Sequence, residues 1–265
     1  MSRVVLECAG LGKRFGDFAA VTDVTYALRE GEAAGVIGPN GAGKSTFFNL
    51  LTGLHRPTTG RVVLEGRDVT STGPHARVRM GLARTFQLVS VFDSLAAVDN
   101  LVLSVLRARE HPPAAWRFML GRARAEDTLQ EALAALDRVG LRGKAGVRVA
   151  ELSYGEKRKL EIAVALSLRP RVLLLDEPLA GLSDGEIVEV LGLVRALRGE
   201  LSLVLIEHKI SHVLDLVERL TVMHEGRIIA EGPPDAILRD ATVRRVYWGD
   251  GARQSTRRAA IGGEG

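Results

Sequence analysis

Cysteine is nearly missing from this chain: Cys8 is the only one in 265 residues. No disulfide framework can form within it, which fits a reducing compartment. Long apolar runs are missing too. No window approaches ~18 uncharged apolar residues, so no segment is expected to span a membrane. Residues 1–7 lack the apolar stretch of a secretory leader. Aromatics are only 5% of the chain and do not interleave with basic residues as they do in nucleic-acid binders. No fixed-period repeat occurs. Excess charge is small as well, at +4, but it is unevenly placed. Between Arg77 and Arg124, eight arginines stand against Asp93, Asp99 and Glu110, and Arg253, Arg257 and Arg258 follow near the end. Such a distribution reads either as a solvated face or as an edge that works near an anionic membrane surface.

What is present is a large apolar fraction, 46%, enough for a substantial core. Apolar runs alternate with amphipathic stretches, which argues for an α/β architecture. Strands are predicted over residues 4–7, 24–28, 33–37, 61–64, 82–86, 172–176, 203–207, 220–223 and 227–230. Helices are predicted over 44–51, 98–109, 125–139, 155–168, 184–197, 210–217 and 234–238. The stretch 98–139 has no convincing strand and is expected to belong to a helical subdomain, at about 90–165. Residues 251–265 are Gly, Ala and Arg with little to bury, and are expected to form a disordered basic tail after a domain spanning 1–250.

The sharpest local signal is Gly38-Pro39-Asn40-Gly41-Ala42-Gly43-Lys44-Ser45-Thr46, a complete phosphate-loop pattern. It follows an apolar run and precedes a helical one, the strand–loop–helix setting that the chemistry needs. Glycines let the backbone wrap closely and turn successive N–H groups toward phosphate oxygens. The helix N-terminus adds partial positive charge. Lys44 is placed to reach the β- and γ-phosphates and Ser45 to ligate Mg²⁺. This motif alone leaves kinases, GTPases, helicases and transport ATPases open. A GTPase would need an Asn-Lys-x-Asp base reader, and the chain has none.

Three further pieces narrow the choice. Residues 172–175 read as a buried parallel strand ending in Asp176-Glu177-Pro178. By itself that triplet could begin a turn. After a phosphate loop, Asp176 is placed to face the Mg²⁺ shell and Glu177 to polarise an attacking water. His208, after a second apolar run, is usually a structural position; as a γ-phosphate sensor it is credible only beside the other parts. Leu152-Ser153-Tyr154-Gly155-Glu156 opens an amphipathic helix, with Ser153 and Glu156 spaced as a capping box.

In this order and spacing, the motif at 152–156 resembles the signature of ABC ATPases. The resemblance covers residues 4–249. It implies a P-loop NTPase (RecA-like) core with an antiparallel β subdomain and a helical signature subdomain. It implies that Gln87 is the Q-loop glutamine and a Mg²⁺ contact, Glu177 the catalytic glutamate and His208 the switch histidine. Phe15 looks like the aromatic that stacks on adenine, and Ser153 and Gly155 like the contacts to ATP held by an opposite subunit. Residues 81–87, 91–95, 99–101, 177–182, 206–208 and 246–249 are similar to branched-chain amino acid transport ATPases of the LivG type.

That similarity implies a peripheral ATPase on the cytoplasmic face of the inner membrane. It would pair head to tail with a second ABC ATPase subunit, a related paralogue or itself, beneath two membrane permease subunits served indirectly by a solute-binding protein. No nucleic acid is expected as a partner. Related amide and urea importers, an exporter such as one for lipopolysaccharide, and DNA- or ribosome-associated ABC ATPases remain alternatives. Residues 91–124 are expected to dock the permease. Two departures stand out: Glu156 and Tyr154 replace the commoner Gln and Gly of the signature, and Ser183 stands where many members carry Asp.

Overall fold

In the computed structural model the described residues are 2–85, 91–108, 121–207 and 213–248, and they form ten strands and eight α-helices. An antiparallel sheet contains β1 (Val4–Phe15), β2 (Phe18–Arg29), β4 (Thr59–Leu64) and β5 (Arg67–Asp68), in the order β2-β1-β4-β5. The second sheet contains β3 (Ala33–Ile37), β6 (Leu82–Arg84), β7 (Val172–Asp176), β8 (Ser202–Ile206), β9 (Arg219–His224) and β10 (Arg227–Gly232). Its order is β10-β9-β3-β8-β7-β6, parallel except for the β9–β10 hairpin. Every residue of β3, β7 and β8 is buried, as expected of parallel strands covered on both faces.

The helices are α1 (Lys44–Thr52), α2 (Pro74–Arg79), α3 (Ala97–Ala108), α4 (Gly121–Arg138), α5 (Tyr154–Ser167), α6 (Asp184–Leu197), α7 (Pro234–Arg239) and α8 (Ala241–Trp248). One core lies between the two sheets around α1, with Phe47, Phe48 and Leu51 fully buried. A second fills the other face of the parallel sheet beneath α6. Helices α3, α4 and α5 share a third, built from Leu101, Leu136, Val149 and Leu160.

Several expectations need adjustment. The first two strands are not short segments but a hairpin of twelve-residue strands whose register shifts several times. The short strand β5 and helices α2 and α8 were not anticipated. Residues 210–212 of the predicted helix 210–217 lie outside the described residues, and 214–216 form a turn rather than a helix; the end of the strand predicted to residue 86 and the tail 251–265 also lie outside the described residues. The arginine run is not a uniform surface: Arg77 and Arg84 are internal, while Arg109 and Arg117 lie outside the described residues.

Arg77 shows why sequence clustering misled. Its Nη1 donates to the carbonyls of Leu50 (2.8 Å) and Leu51 (2.6 Å), and its Nη2 to that of Val69 (2.6 Å). A cation thereby satisfies the open carbonyls at the C-terminus of α1, where the helix dipole favours positive charge. Burial pulls this guanidinium's pKa down to about 10. Among the described residues no helix is long and apolar enough to cross a membrane.

Candidate functional site

Strand β3 ends at Ile37 and the chain then wraps through residues 38–43 into α1. Gly43 takes the N-cap position with φ 96°, and a Cβ there would stand 2.5 Å from the carbonyl oxygen of Ala20. Only glycine combines that backbone with so close a neighbour. The loop therefore lies against the antiparallel sheet and leaves its outer rim open.

Lys44 is 5% exposed and curls back over the loop, where Nζ donates to the carbonyl oxygens of Gly38 (2.7 Å) and Pro39 (3.1 Å). Burial lowers its pKa, and the Glu177 and Asp176 carboxylates oppose that shift. Two acids and one cation thus share a single electrostatic field. Ser45 is exposed on the first turn of α1. A cavity of about 550 Å³ is lined by Asn40, Gly41, Ala42, Gly43, Lys44, Ser45 and Thr46 together with Phe18, Ala20 and Glu177. The carboxylate proposed for water activation, Glu177, and the residues proposed for phosphate binding, Asn40 to Thr46, are far apart in sequence and yet border one space.

Both acids sit where β7 stops. Asp176 pairs in register with Ile206 of β8, and the backbone N–H of Glu177 donates to Ile206 O at 3.0 Å. Glu177 is buried and adopts φ 48°, a left-handed conformation uncommon for a residue with a side chain. Strain of this kind, of order 1–3 kcal/mol, persists where surrounding structure enforces it and gathers at functional sites. Here Pro178 follows directly, and the buried Arg158 of α5 donates to Glu177 O at 3.4 Å.

Arg84 lies in the segment 81–87, where the resemblance assigns it no role. In the structure its Nη2 donates to Asp176 Oδ2 at 2.5 Å, and its Nη1 to Asn49 Oδ1 of α1 at 2.6 Å. Its guanidinium also lies 5.5 Å from the Phe48 ring centroid. It therefore bridges β6, β7 and the phosphate-loop helix. Asp176 keeps a second oxygen, Oδ1, that is buried and has no hydrogen-bond partner among the described residues. A buried carboxylate oxygen left in this way, at a strand end beside a phosphate loop, suits a hard divalent cation.

Phe15 stands at the turn of the first hairpin, 45% exposed, with its ring edge-on to His55 at 5.5 Å. It is not among the residues lining the cavity, whereas Phe18, its partner across the turn and 66% exposed, is. Phe18 was missed because its run, Phe18-Ala19-Ala20, carries no motif.

The signature lies apart from this cavity. Ser153 caps α5 with the anticipated box: Glu156 N donates to Ser153 Oγ (3.2 Å), and Ser153 N to Glu156 Oε2 (3.0 Å). Burial tends to raise the Glu156 pKa, but Lys144, in an ion pair with it, and the Ser153 N–H hold it below the usual carboxylate range. The unusual acid is thus matched by its own cation. Ser183 caps α6, its N–H and hydroxyl both donating to Glu186 Oε2, at 3.0 and 2.8 Å. Gln87 and His208 lie outside the described residues.

Against known proteins, the family profile described as ABC transporter matches residues 21–180. The branched-chain amino acid transport ATP-binding protein BraF of Pseudomonas aeruginosa is 36% identical over 259 residues, covering 94% of this chain and 100% of that one. LivG of Salmonella typhimurium gives the same identity and coverage. The lipopolysaccharide export ATP-binding protein LptB of Acidithiobacillus ferridurans is also 36% identical, over 247 residues, covering 93% of this chain and 97% of that one. Among solved structures, the ATP-binding cassette MJ1267 in its ADP conformation superposes with a TM-score of 0.82 at 30% identity, covering 94% of this chain and 100% of that one. A dimeric cassette, MJ0796 with ADP and Pi, shares the fold at a TM-score of 0.73 and 23% identity, covering 86% of this chain and 98% of that one.

Proposed function

Because this chain belongs to the ABC transporter ATP-binding family, whose members bind and hydrolyse ATP, we propose that it powers an importer of branched-chain amino acids or a related small polar solute. The observation that carries the ATPase chemistry is the shared cavity: Glu177 faces the same space as Lys44, Ser45 and the loop N–H groups. Lys44 would neutralise β/γ-phosphate charge, and Glu177 would take the proton of the attacking water. Ser45 and Asp176 suit a Mg²⁺ ion, with Gln87 as a further contact. When bound, that ion would offset the negative charge on the transferred phosphoryl group. His208 would contact the γ-phosphate, and Phe15 or Phe18 the adenine.

Ser153 and Gly155 are not among the residues lining that cavity. This supports a head-to-tail pair in which each signature completes the partner's site. ATP would then close the pair and hydrolysis reopen it, moving two attached permeases; a solute-binding protein would deliver the solute on the far side. The permease surface we assign to the described part of residues 91–124. Phe92 is 61% exposed there, and with Leu103, Val164 and Leu168 it borders a cavity of about 550 Å³ between α2, α3 and α5. On this reading the subunit sits peripherally on the cytoplasmic face of the inner membrane.

Import is favoured by the resemblance to the LivG type, which runs from residue 81 to the segment at 246–249. Lipopolysaccharide export stands as the second reading, because the LptB relative is equally identical. Deleting the gene and measuring uptake of radiolabelled leucine, isoleucine and valine separates them. Loss of uptake, restored by the wild-type chain but not by Lys44→Ala, is expected. Unchanged uptake with a defective outer envelope would favour export instead.

A further inference from the structure

Glu186 lies in the first turn of α6, yet it does more than cap its own helix. Its Oε2 accepts from Ser183 N, as half of a capping box, and also from the Ser183 hydroxyl. Its Oε1 turns to the other helix and accepts from the Ser153 hydroxyl at 3.0 Å and the Gly155 N–H at 2.9 Å. The approach is close: a Cβ on Gly155 would stand 2.6 Å from that oxygen. Among the described residues no lysine or arginine pairs with Glu186. Its charge is held by hydroxyl and N–H donors at the N-termini of α5 and α6, where helix dipoles favour an anion. The same donors hold its pKa down at about 2, the Ser183 N–H contributing most.

We infer that Glu186 is an internal anion that occupies the signature of the open subunit and must give way before the γ-phosphate of a facing subunit's ATP can bind there. The inference rests on the head-to-tail reading above. Its basis is a count of hydrogens. Ser153 has one hydroxyl hydrogen and Gly155 one amide hydrogen, and both are directed at Glu186 Oε1. A phosphate cannot accept either while that oxygen keeps them, and two anions at one pair of donors repel. The carboxylate has a resting place when displaced, because Oε2 already bonds to Ser183. Glu186 is therefore a positioning residue. It keeps the signature ordered and closed to weak anions, and it raises the ATP concentration needed to pair two subunits.

The test uses the full-length chain in a Glu177→Gln background that traps the ATP-bound pair, together with its second ATPase subunit if it does not pair with itself. Pairing is followed by light scattering during an ATP titration, and ADP affinity is measured in parallel. Glu186→Gln keeps the side-chain shape and one acceptor oxygen, replaces the other by an amide NH2 and removes the charge. Because charge-assisted hydrogen bonds are roughly twice as strong as neutral ones, the ATP concentration at half-pairing should fall roughly fivefold. ADP affinity, which does not need the signature, should stay unchanged and reports that the variant is folded. An unchanged or higher half-point, with pairing and ADP binding intact, would reduce Glu186 to a helix cap and leave the proposed function standing. If no variant pairs with ATP, the head-to-tail reading falls and takes this inference with it. A measurement without any variant is hydrogen exchange at Gly155 in the nucleotide-free subunit. That N–H lies in the first turn of α5, where no intrahelical acceptor exists, so exchange at the rate of an unprotected amide would also overturn the contact.

Discussion

The phosphate loop and the signature each lead into the N-terminus of a helix, but the molecule treats them differently. At the loop the donors are backed by the sheet. Lys44 is buried, Asp176 is locked by Arg84, and Glu177 is held in an uncommon backbone conformation between β7 and Pro178. At the signature, Ser153 is exposed on a layer with a core of its own, and the open donors are met by Glu186. A site assembled within one chain can be preorganised by packing. A site that must be shared with another chain needs a stand-in while it waits. On the proposed head-to-tail reading, the difference would account for how one fold can bind nucleotide alone and yet reserve hydrolysis for a pair.

Substitutions at the loop should therefore act within a single subunit. The largest effect is expected from Glu177→Gln. Turnover should drop by about 10²–10⁴-fold, the usual contribution of a general base, with ATP binding retained. A rate near wild type would move the catalytic role to another residue. Arg84→Ala comes next, because it removes the partner of Asp176 Oδ2 from a carboxylate whose Oδ1 already has none among the described residues. Breaking a buried pair costs about 3–5 kcal/mol, which a urea melt would register as a lowered midpoint. A stability loss below ~1 kcal/mol would show that water already reaches the pair. Lys44→Ala should weaken ATP binding by roughly 10- to 100-fold, since a charge-assisted contact contributes about 1.5–3 kcal/mol. Binding within about threefold of wild type in a calorimeter would contradict its assigned contact.

The signature should respond otherwise. Ser153→Ala removes a cap worth about 1 kcal/mol, a small change in melting. Its effect on hydrolysis should exceed that change and should appear only at protein concentrations where subunits meet. Equal losses in a dilute and a concentrated assay would place Ser153 in its own subunit's site.

How much of this could be read beforehand varies by element for physical reasons. The strand at 172–176 and the helix at 184–197 were placed to the residue. The first is an apolar run closed by two acids; the second starts at a Ser-Asp-Gly-Glu cap. The first hairpin was cut short because β1 passes through Gly10, Gly12 and Lys13, where bulges interrupt alternation. Helix α2 had a legible start in Gly73-Pro74, and α8 in Asp240, whose Oδ1 accepts from the N–H groups of Thr242 (2.8 Å) and Val243 (3.0 Å). Both helices are short, six and eight residues, too few turns for an apolar period to be read in the sequence. The loop and the acids were legible as site candidates because each is local in sequence. Arg84 and Glu186 were not, since their partners lie 92 and 33 residues away and only the fold brings them together.

The central claim is that each hydrolytic site is completed by a second subunit. Mixing two inactive variants tests it most directly. Lys44→Ala lacks a working loop but keeps its signature; Ser153→Arg blocks the signature but keeps its loop. Each alone should hydrolyse almost no ATP. Mixed, they should recover activity from one composite site, rising with protein concentration faster than in proportion. Full activity of Ser153→Arg alone, independent of concentration, would contradict the account.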